Sequence, residues 1–129
     1  LTRNTEPKEI IRAVMESVAY QSNDLLKAMK NDGIKAKIIK VDGGMVKNNW
    51  FSQFLSNIIN IRVDRPQVDE TTALGVAFLA GLKVGIYKSI NDINKIWKID
   101  KSFYPKIKSK ERSKLLEGWK KAVKRTLIH

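Results

Sequence analysis

The chain has 129 residues, enough to bury one modest hydrophobic core. With 43% hydrophobic and 29% charged residues it has the composition of an ordinary globular domain, which excludes a disordered chain. No cysteine and one histidine, at position 129, exclude a disulfide framework, a thiolate nucleophile and a histidine-based triad or metal site, while the net charge of +12 raises the question of an acidic partner.

Thr5 before Glu6-Pro7 reads as a helix N-cap, with proline tolerated in the first turn. Ile10, Ile11, Val14, Val18, Leu25 and Leu26 then recur at helical spacing, which predicts a long amphipathic helix from Pro7 to about Lys30. Asn31-Asp32-Gly33 is its stop, with Gly33 as the left-handed residue. Ile34 to Val41 reads as a strand that ends in the turn Asp42-Gly43-Gly44. A second helix is predicted from Asn48 to about Ile59, with Phe51, Phe54, Leu55 and Ile58 on one stripe and Asn60 as its breaker. Ile61 to Asp64 reads as a short strand ended by Arg65-Pro66.

Strand, helix and strand within so few residues make a βαβ unit, so the two strands are expected to be parallel with a right-handed crossover. A third helix follows from Thr71 to about Val84, with Asp69 and Glu70 supplying negative charge to its N-terminal end. Its residues Ala73, Gly75, Ala77, Ala80 and Gly81 are so small that another element or a ligand is expected to approach its backbone closely. Ser89 to Asp100 reads as loop with room for a helical turn, and Lys101 to Lys108 as extended chain around Pro105. Ser109 to about Leu127 is a last basic amphipathic helix carrying Leu115, Leu116, Trp119, Val123 and Leu127. Pro66 is not expected to extend the strand pairing, and two parallel strands are too few for a stable sheet with helices on its faces. The remaining strands must then come from missing chain or from another copy, and the start Leu1-Thr2-Arg3, without initiator methionine or signal-peptide core, reads as a cut edge.

The charge is unevenly spread. Residues 1–32 carry five basic against five acidic side chains, whereas Lys83 to His129 carry fourteen against four. No RNP-like aromatic set, helix-turn-helix pattern or zinc spacing accompanies that excess, so it is read as solvated surface and nucleic acid is not expected as a partner. The longest apolar stretch, Ala73 to Leu82, is about half of what a membrane span needs, so no membrane partner is expected either. The composition fits a cytoplasmic protein.

The chemistry is concentrated at the glycine turn. A strand, a glycine turn and a helix bring backbone N–H groups close to a phosphate or nucleotide, with the helix dipole adding to the attraction. Asp42 is read as a residue that hydrogen-bonds its own turn, since no partner carboxylate accompanies it. One of Asn48 and Asn49 is expected to cap the following helix, leaving the other to face a ligand, where an amide suits the polar edge of adenine. Trp50, Phe51 and Phe54 at helical spacing read as core, and Lys47 is either a phosphate-reaching ammonium or a solvated one.

Several of these segments coincide with one family. Glu9 to Gln21, the loop Val41-Asp42-Gly43-Gly44-Met45-Val46-Lys47-Asn48-Asn49, Arg65-Pro66, Glu70 to Gly75, Phe78 to Gly81 and Gly118 to Arg125 together resemble the C-terminal part of glycerol kinases. These belong to the FGGY carbohydrate kinases of the actin and hexokinase-like superfamily. The resemblance implies a partial actin/hexokinase-like, ribonuclease H-like ATPase domain: an α/β fold, helix-rich, with a short βαβ unit of parallel strands. Residues 1–129 would be the C-terminal fragment of that nucleotide-binding domain. The implied enzyme moves a phosphoryl group from ATP to glycerol, giving glycerol 3-phosphate and ADP, and uses Mg²⁺. By matching position Gly44 and Asn48 would contact the nucleotide, with Gly43 giving the turn its freedom, while Met45 and Lys47 stand where the family more often has small residues. The family's N-terminal domain, with its glycerol site and catalytic aspartate, does not match any part of this chain. The fragment alone is therefore expected to be inactive and to associate with itself along unpaired strands near Ile38 and Ile61. The alternatives are a non-catalytic truncated or interaction fragment, or another FGGY sugar kinase.

Overall fold

The computed structural model describes residues 2–68 and 71–127. It contains five helices, α1 (Pro7–Asn31), α2 (Asn49–Ile59), α3 (Thr71–Lys83), α4 (Ile90–Ile96) and α5 (Ser109–Thr126). Three strands, β1 (Ile38–Lys40), β2 (Arg62–Pro66) and β3 (Ile99–Phe103), form one sheet in the order β1-β2-β3.

The parallel pairing of β1 with β2, Ile38 opposite Arg62 and Lys40 opposite Asp64, is the expected βαβ unit. β1 is shorter than the strand read from Ile34 to Val41. Its partner begins only at Arg62, after Asn60 has closed α2 in the left-handed conformation at φ 57°, so residues before Ile38 have nothing to pair with. β3 departs from the expectation of loop and then extended chain. Asp100, Lys101 and Ser102 give this strand a polar sequence, yet it runs antiparallel to β2 from Val63 opposite Phe103 to Pro66 opposite Ile99. Pro66 therefore takes part in the pairing after all. The edge near Ile61 that was expected to be unpaired is covered by β3, and among the described strands the uncovered edges belong to β1 and β3.

Side chains fasten β3 in place. The buried Asp64 carboxylate accepts from Arg62 Nε at 2.6 Å and from Ser102 Oγ at 2.7 Å. That carboxylate hydrogen bond raises the pKa of the Arg62 guanidinium above its ordinary value.

The core lies between the sheet and helices α1, α2 and α5. Phe51, Leu55, Ile58 and Ile59 of α2 meet Val63 of β2, Phe103 of β3, and Ala19 and Tyr20 of α1. Each large side chain of this set contributes about 1.5–3 kcal/mol by leaving water. Leu115, Leu116 and Trp119 of α5 pack against it, as the sequence stripe requires, while Leu127 stays exposed. Of the stripe on α1, Val18 and Leu26 pack on the core, whereas Ile10, Ile11, Val14 and Leu25 remain exposed. α1 begins at Pro7 as expected, but its cap lies one residue later than the Thr5 expected for it. Glu6 is its N-cap, with the Glu6 N–H donating to Glu9 Oε2 at 2.8 Å, and Thr5 Oγ1 instead accepts from the Thr2 N–H. Gly33, at φ 89°, terminates it as the αL residue.

α3 is apolar around its circumference and stands largely in solvent, with Val76 65% and Leu79 68% exposed. The close approach expected at its small residues occurs at Gly81. A Cβ there would lie 2.6 Å from Cε2 of Tyr87, whose ring also meets Phe78 edge-on. At Gly75 nothing described comes within 4 Å of such a Cβ. Asp69, Glu70 and His129 lie outside the described residues, and with them the charge expected at the N-terminal end of α3.

Candidate functional site

The parallel β1–β2 ladder runs into the glycine turn, where the Val41 N–H donates to the Asp64 carbonyl at 3.1 Å. Gly43 then adopts φ 89° and ψ 173°, a backbone region open essentially to glycine alone. Gly44–Lys47 form a single 3₁₀ turn that delivers the chain to α2. Gly43 and Gly44 are exposed, and a Cβ at either would meet no protein atom within 4 Å, so the backbone here stands open for a ligand to approach.

Two anchors hold the turn to the body of the protein. Val46 is buried in the core, and its carbonyl accepts from Ser52 Oγ at 2.9 Å and from Arg65 Nη1 at 2.9 Å. Arg65 Nη1 also lies 3.1 Å from the Lys47 carbonyl and 3.1 Å from Asn49 Oδ1. The Nε/Nη2 edge of the guanidinium pairs with Asp100 of β3, Nε at 2.8 Å and Nη2 at 2.6 Å from Oδ2. Asp42, Lys47, Arg65, Gln67 and Asp100 line a cleft of about 360 Å³ beside the turn. That volume is at the small end of the range for ligand sites.

Asn48 is the cap of α2. Its Oδ1 accepts from the N–H groups of Trp50 at 2.9 Å and Phe51 at 3.3 Å. Its Nδ2 makes no hydrogen bond to any described residue and is the part of this amide available to a ligand. Asn49 is held in the same way, its Oδ1 accepting from Arg65 Nη1 at 3.1 Å, so it too would offer a ligand only its Nδ2. Asp42 is exposed and, among the described residues, makes no hydrogen bond to its own turn, contrary to the role expected of it; its side chain lines the cleft instead. Phe51 and Phe54 are core as expected, Phe54 meeting Tyr20 edge-on at 5.7 Å. Trp50 stacks on Phe54 at 5.1 Å and carries the Arg12 guanidinium on its ring. Arg65 and Asp100 are the site residues that sequence reasoning missed. Arg65 read as a strand end and as part of the family resemblance, with no site role, and no local pattern links it to a carboxylate thirty-five positions later.

Residues 1–84 match the family model described as the FGGY family of carbohydrate kinases, C-terminal domain. The chain belongs to that family. Its sequence is 48% identical over 127 residues to the glycerol kinase of Coxiella burnetii, covering 98% of this chain and 25% of the relative. The fold matches the crystal structure of Plasmodium falciparum glycerol kinase with ADP at a TM-score of 0.84 and 40% identity, over 100% of this chain and 26% of that one. It also matches a ligand-bound xylulose kinase of Lactobacillus acidophilus at a TM-score of 0.75 and 25% identity, over 95% of this chain and 25% of the other. The chain thus spans about a quarter of the length of these FGGY relatives. The helix-rich α/β fold with a small sheet is the fold of their C-terminal portion. Among the described residues no helix is long and apolar enough to cross a membrane.

Proposed function

We propose that this chain forms the nucleotide-binding wall of an ATP-dependent glycerol kinase, acting in the cytoplasm, which transfers the γ-phosphoryl group of ATP to glycerol to give glycerol 3-phosphate. The observation that carries this reading is the exposed Gly43–Gly44 turn at the N-terminal end of α2, in a chain 48% identical to a glycerol kinase. Gly43 supplies the backbone reversal, Gly44 lets the nucleotide approach the main chain, and Asn48 offers its Nδ2 as donor while its Oδ1 holds the helix end. ADP and ATP share the adenosine half that such a turn recognises, so either is a ligand for it.

Phosphoryl transfer depends on positioning and charge stabilisation supplied from several loops. Magnesium enters that chemistry as a counter-charge to the phosphates. The described residues fit no resident metal: no group of three or more aspartate, glutamate, histidine or cysteine side chains converges, and Asp100 in the cleft is already paired with Arg65. The glycerol site and catalytic aspartate implied by the family lie in an N-terminal domain that is the natural partner of this one, so these 129 residues alone are expected to transfer no phosphoryl group. Self-association is expected of the isolated chain, supported by the exposed apolar surface of α3 and the open edge of β1.

Titration of the chain with ADP, followed residue by residue by NMR, tests the site. Shifts centred on residues 43–48 support it, and shifts confined to the groove between α1 and α5 would overturn it. A coupled assay with glycerol and Mg-ATP tests the activity of the chain alone, for which no turnover above the blank is expected.

A further inference from the structure

We infer that Arg65 is a positioning residue for the glycine turn, and that Asp100 sets the guanidinium in the orientation the turn needs. The inference rests on the nucleotide reading of that turn and adds a residue of β2 and one of β3 to it.

The geometry is specific to a guanidinium. Arg65 Nη1 lies 2.9–3.1 Å from three acceptors that belong to different parts of the turn: the Val46 carbonyl, the Lys47 carbonyl and Asn49 Oδ1. These acceptors fall where the 3₁₀ turn hands over to α2, at the end of a short helical element whose last carbonyls have no partner of their own within it. A planar fork can face those acceptors with one nitrogen and a carboxylate with two others, whereas an ammonium is a point charge without fixed directions. The Arg65 side chain is 16% exposed and packs over the Phe103 ring, so its direction is set by packing as well as by charge.

Asp100 owes its place to an irregularity in the sheet. Arg65 pairs with Lys101 and Pro66 with Ile99, which leaves Asp100 as the extra residue of β3. A bulge of this kind re-aims a side chain that would otherwise follow the strand alternation. Here the carboxylate closes on Nε and Nη2 of Arg65 from the side away from the turn. Asp100 lies beyond residues 1–84, the segment that matches the family model, so the C-terminal strand of this chain braces a turn built by the family segment.

Amide hydrogen exchange together with ADP titration of Arg65→Met, Arg65→Lys and Asp100→Asn tests the inference. Arg65→Met is expected to speed exchange over residues 46–48 by about tenfold, the loss of roughly one hydrogen bond to a charged group, while Leu55–Ile59 of α2 keep their rates. The dissociation constant for ADP should rise by a similar factor. Asp100→Asn is expected to give a smaller change of the same pattern, and Arg65→Lys should not restore the native rates. Unchanged exchange in the turn, full rescue by lysine, or a uniform increase across the whole protein in both Arg65→Met and the milder Asp100→Asn would overturn it. If the native chain binds no ADP, the nucleotide reading of the turn fails and the positioning role with it. If ADP binds but the Arg65 variants bind it equally well, only the positioning role fails.

Discussion

Trp119 of α5 donates its indole N–H to Asp24 Oδ2 of α1 at 2.7 Å, while its ring stacks on Tyr20 with centroids 5.4 Å apart. The last helix is thus tied to the first by a polar contact at the rim and an aromatic one beneath it. Trp119→Phe keeps the stacking partner and removes the donor, so it is expected to cost about 1 kcal/mol in urea unfolding. An unchanged midpoint would mean that the hydrogen bond is fully replaced by water.

Tyr20 gives the fold a response to alkaline pH. Burial, followed by the neighbouring Glu16 carboxylate, raises its pKa from 10.0 to about 12. The unfolded chain releases this proton near pH 10 and the folded chain holds it, so the contribution to stability is complete below pH 10 and is lost as pH rises towards 12. Spectrophotometric titration should show a phenol ionising near pH 12 that disappears in Tyr20→Phe. Stability of that variant should fall less steeply between pH 10 and 12.

The two glycines of the turn should separate stability from binding. Gly43→Ala forces a side chain into φ 89°, ψ 173°, at a cost of about 1–3 kcal/mol in chemical denaturation. Gly44 has an ordinary φ and open space around it, so Gly44→Ala is expected to leave stability within about 0.5 kcal/mol of native and to weaken ADP binding. Native-like ADP affinity in Gly44→Ala would refute close approach of the ligand at that residue.

Ser56 is buried in α2, with its Oγ 2.9 Å from the Ile61 carbonyl and 3.0 Å from the Phe103 carbonyl. Its hydroxyl therefore joins the helix to β3 as well as to its own turn. Ser56→Ala should destabilise by about 1–3 kcal/mol, because a buried acceptor loses its donor, and calorimetry should show a lower Tm.

Self-association through α3 should respond to charge placed on its exposed face. Sedimentation of the native chain at high salt, where screening reduces repulsion between copies carrying +12, is expected to show dimers or larger species. Leu79→Glu puts a carboxylate on a residue that is 68% exposed and should shift the distribution towards monomer. A native chain that stays monomeric at all salt concentrations removes the proposal.

Local pattern was enough for α1, α2, α3 and α5, whereas α4 lies in a segment read mainly as loop. The stripes on α1, α2 and α5, the stop at Gly33 and the break at Asn60 follow from spacing and from backbone freedom, which are properties of a few adjacent residues. The glycine turn was legible for the same reason, since only glycine tolerates the φ of residue 43 and an asparagine at position 48 is a natural cap. What the sequence could not display was decided by contacts between distant segments. β3 is polar and becomes a strand because β2 offers it an edge, with Asp64 and Arg62 to hold Ser102. The hold on Asn49 comes from Arg65, which reaches its Oδ1 from another strand. Asp100 enters the site only through a bulge in tertiary pairing. Helix periodicity is written into neighbouring side chains; strand partners and the bracing of a turn are long-range choices, made when the core closes.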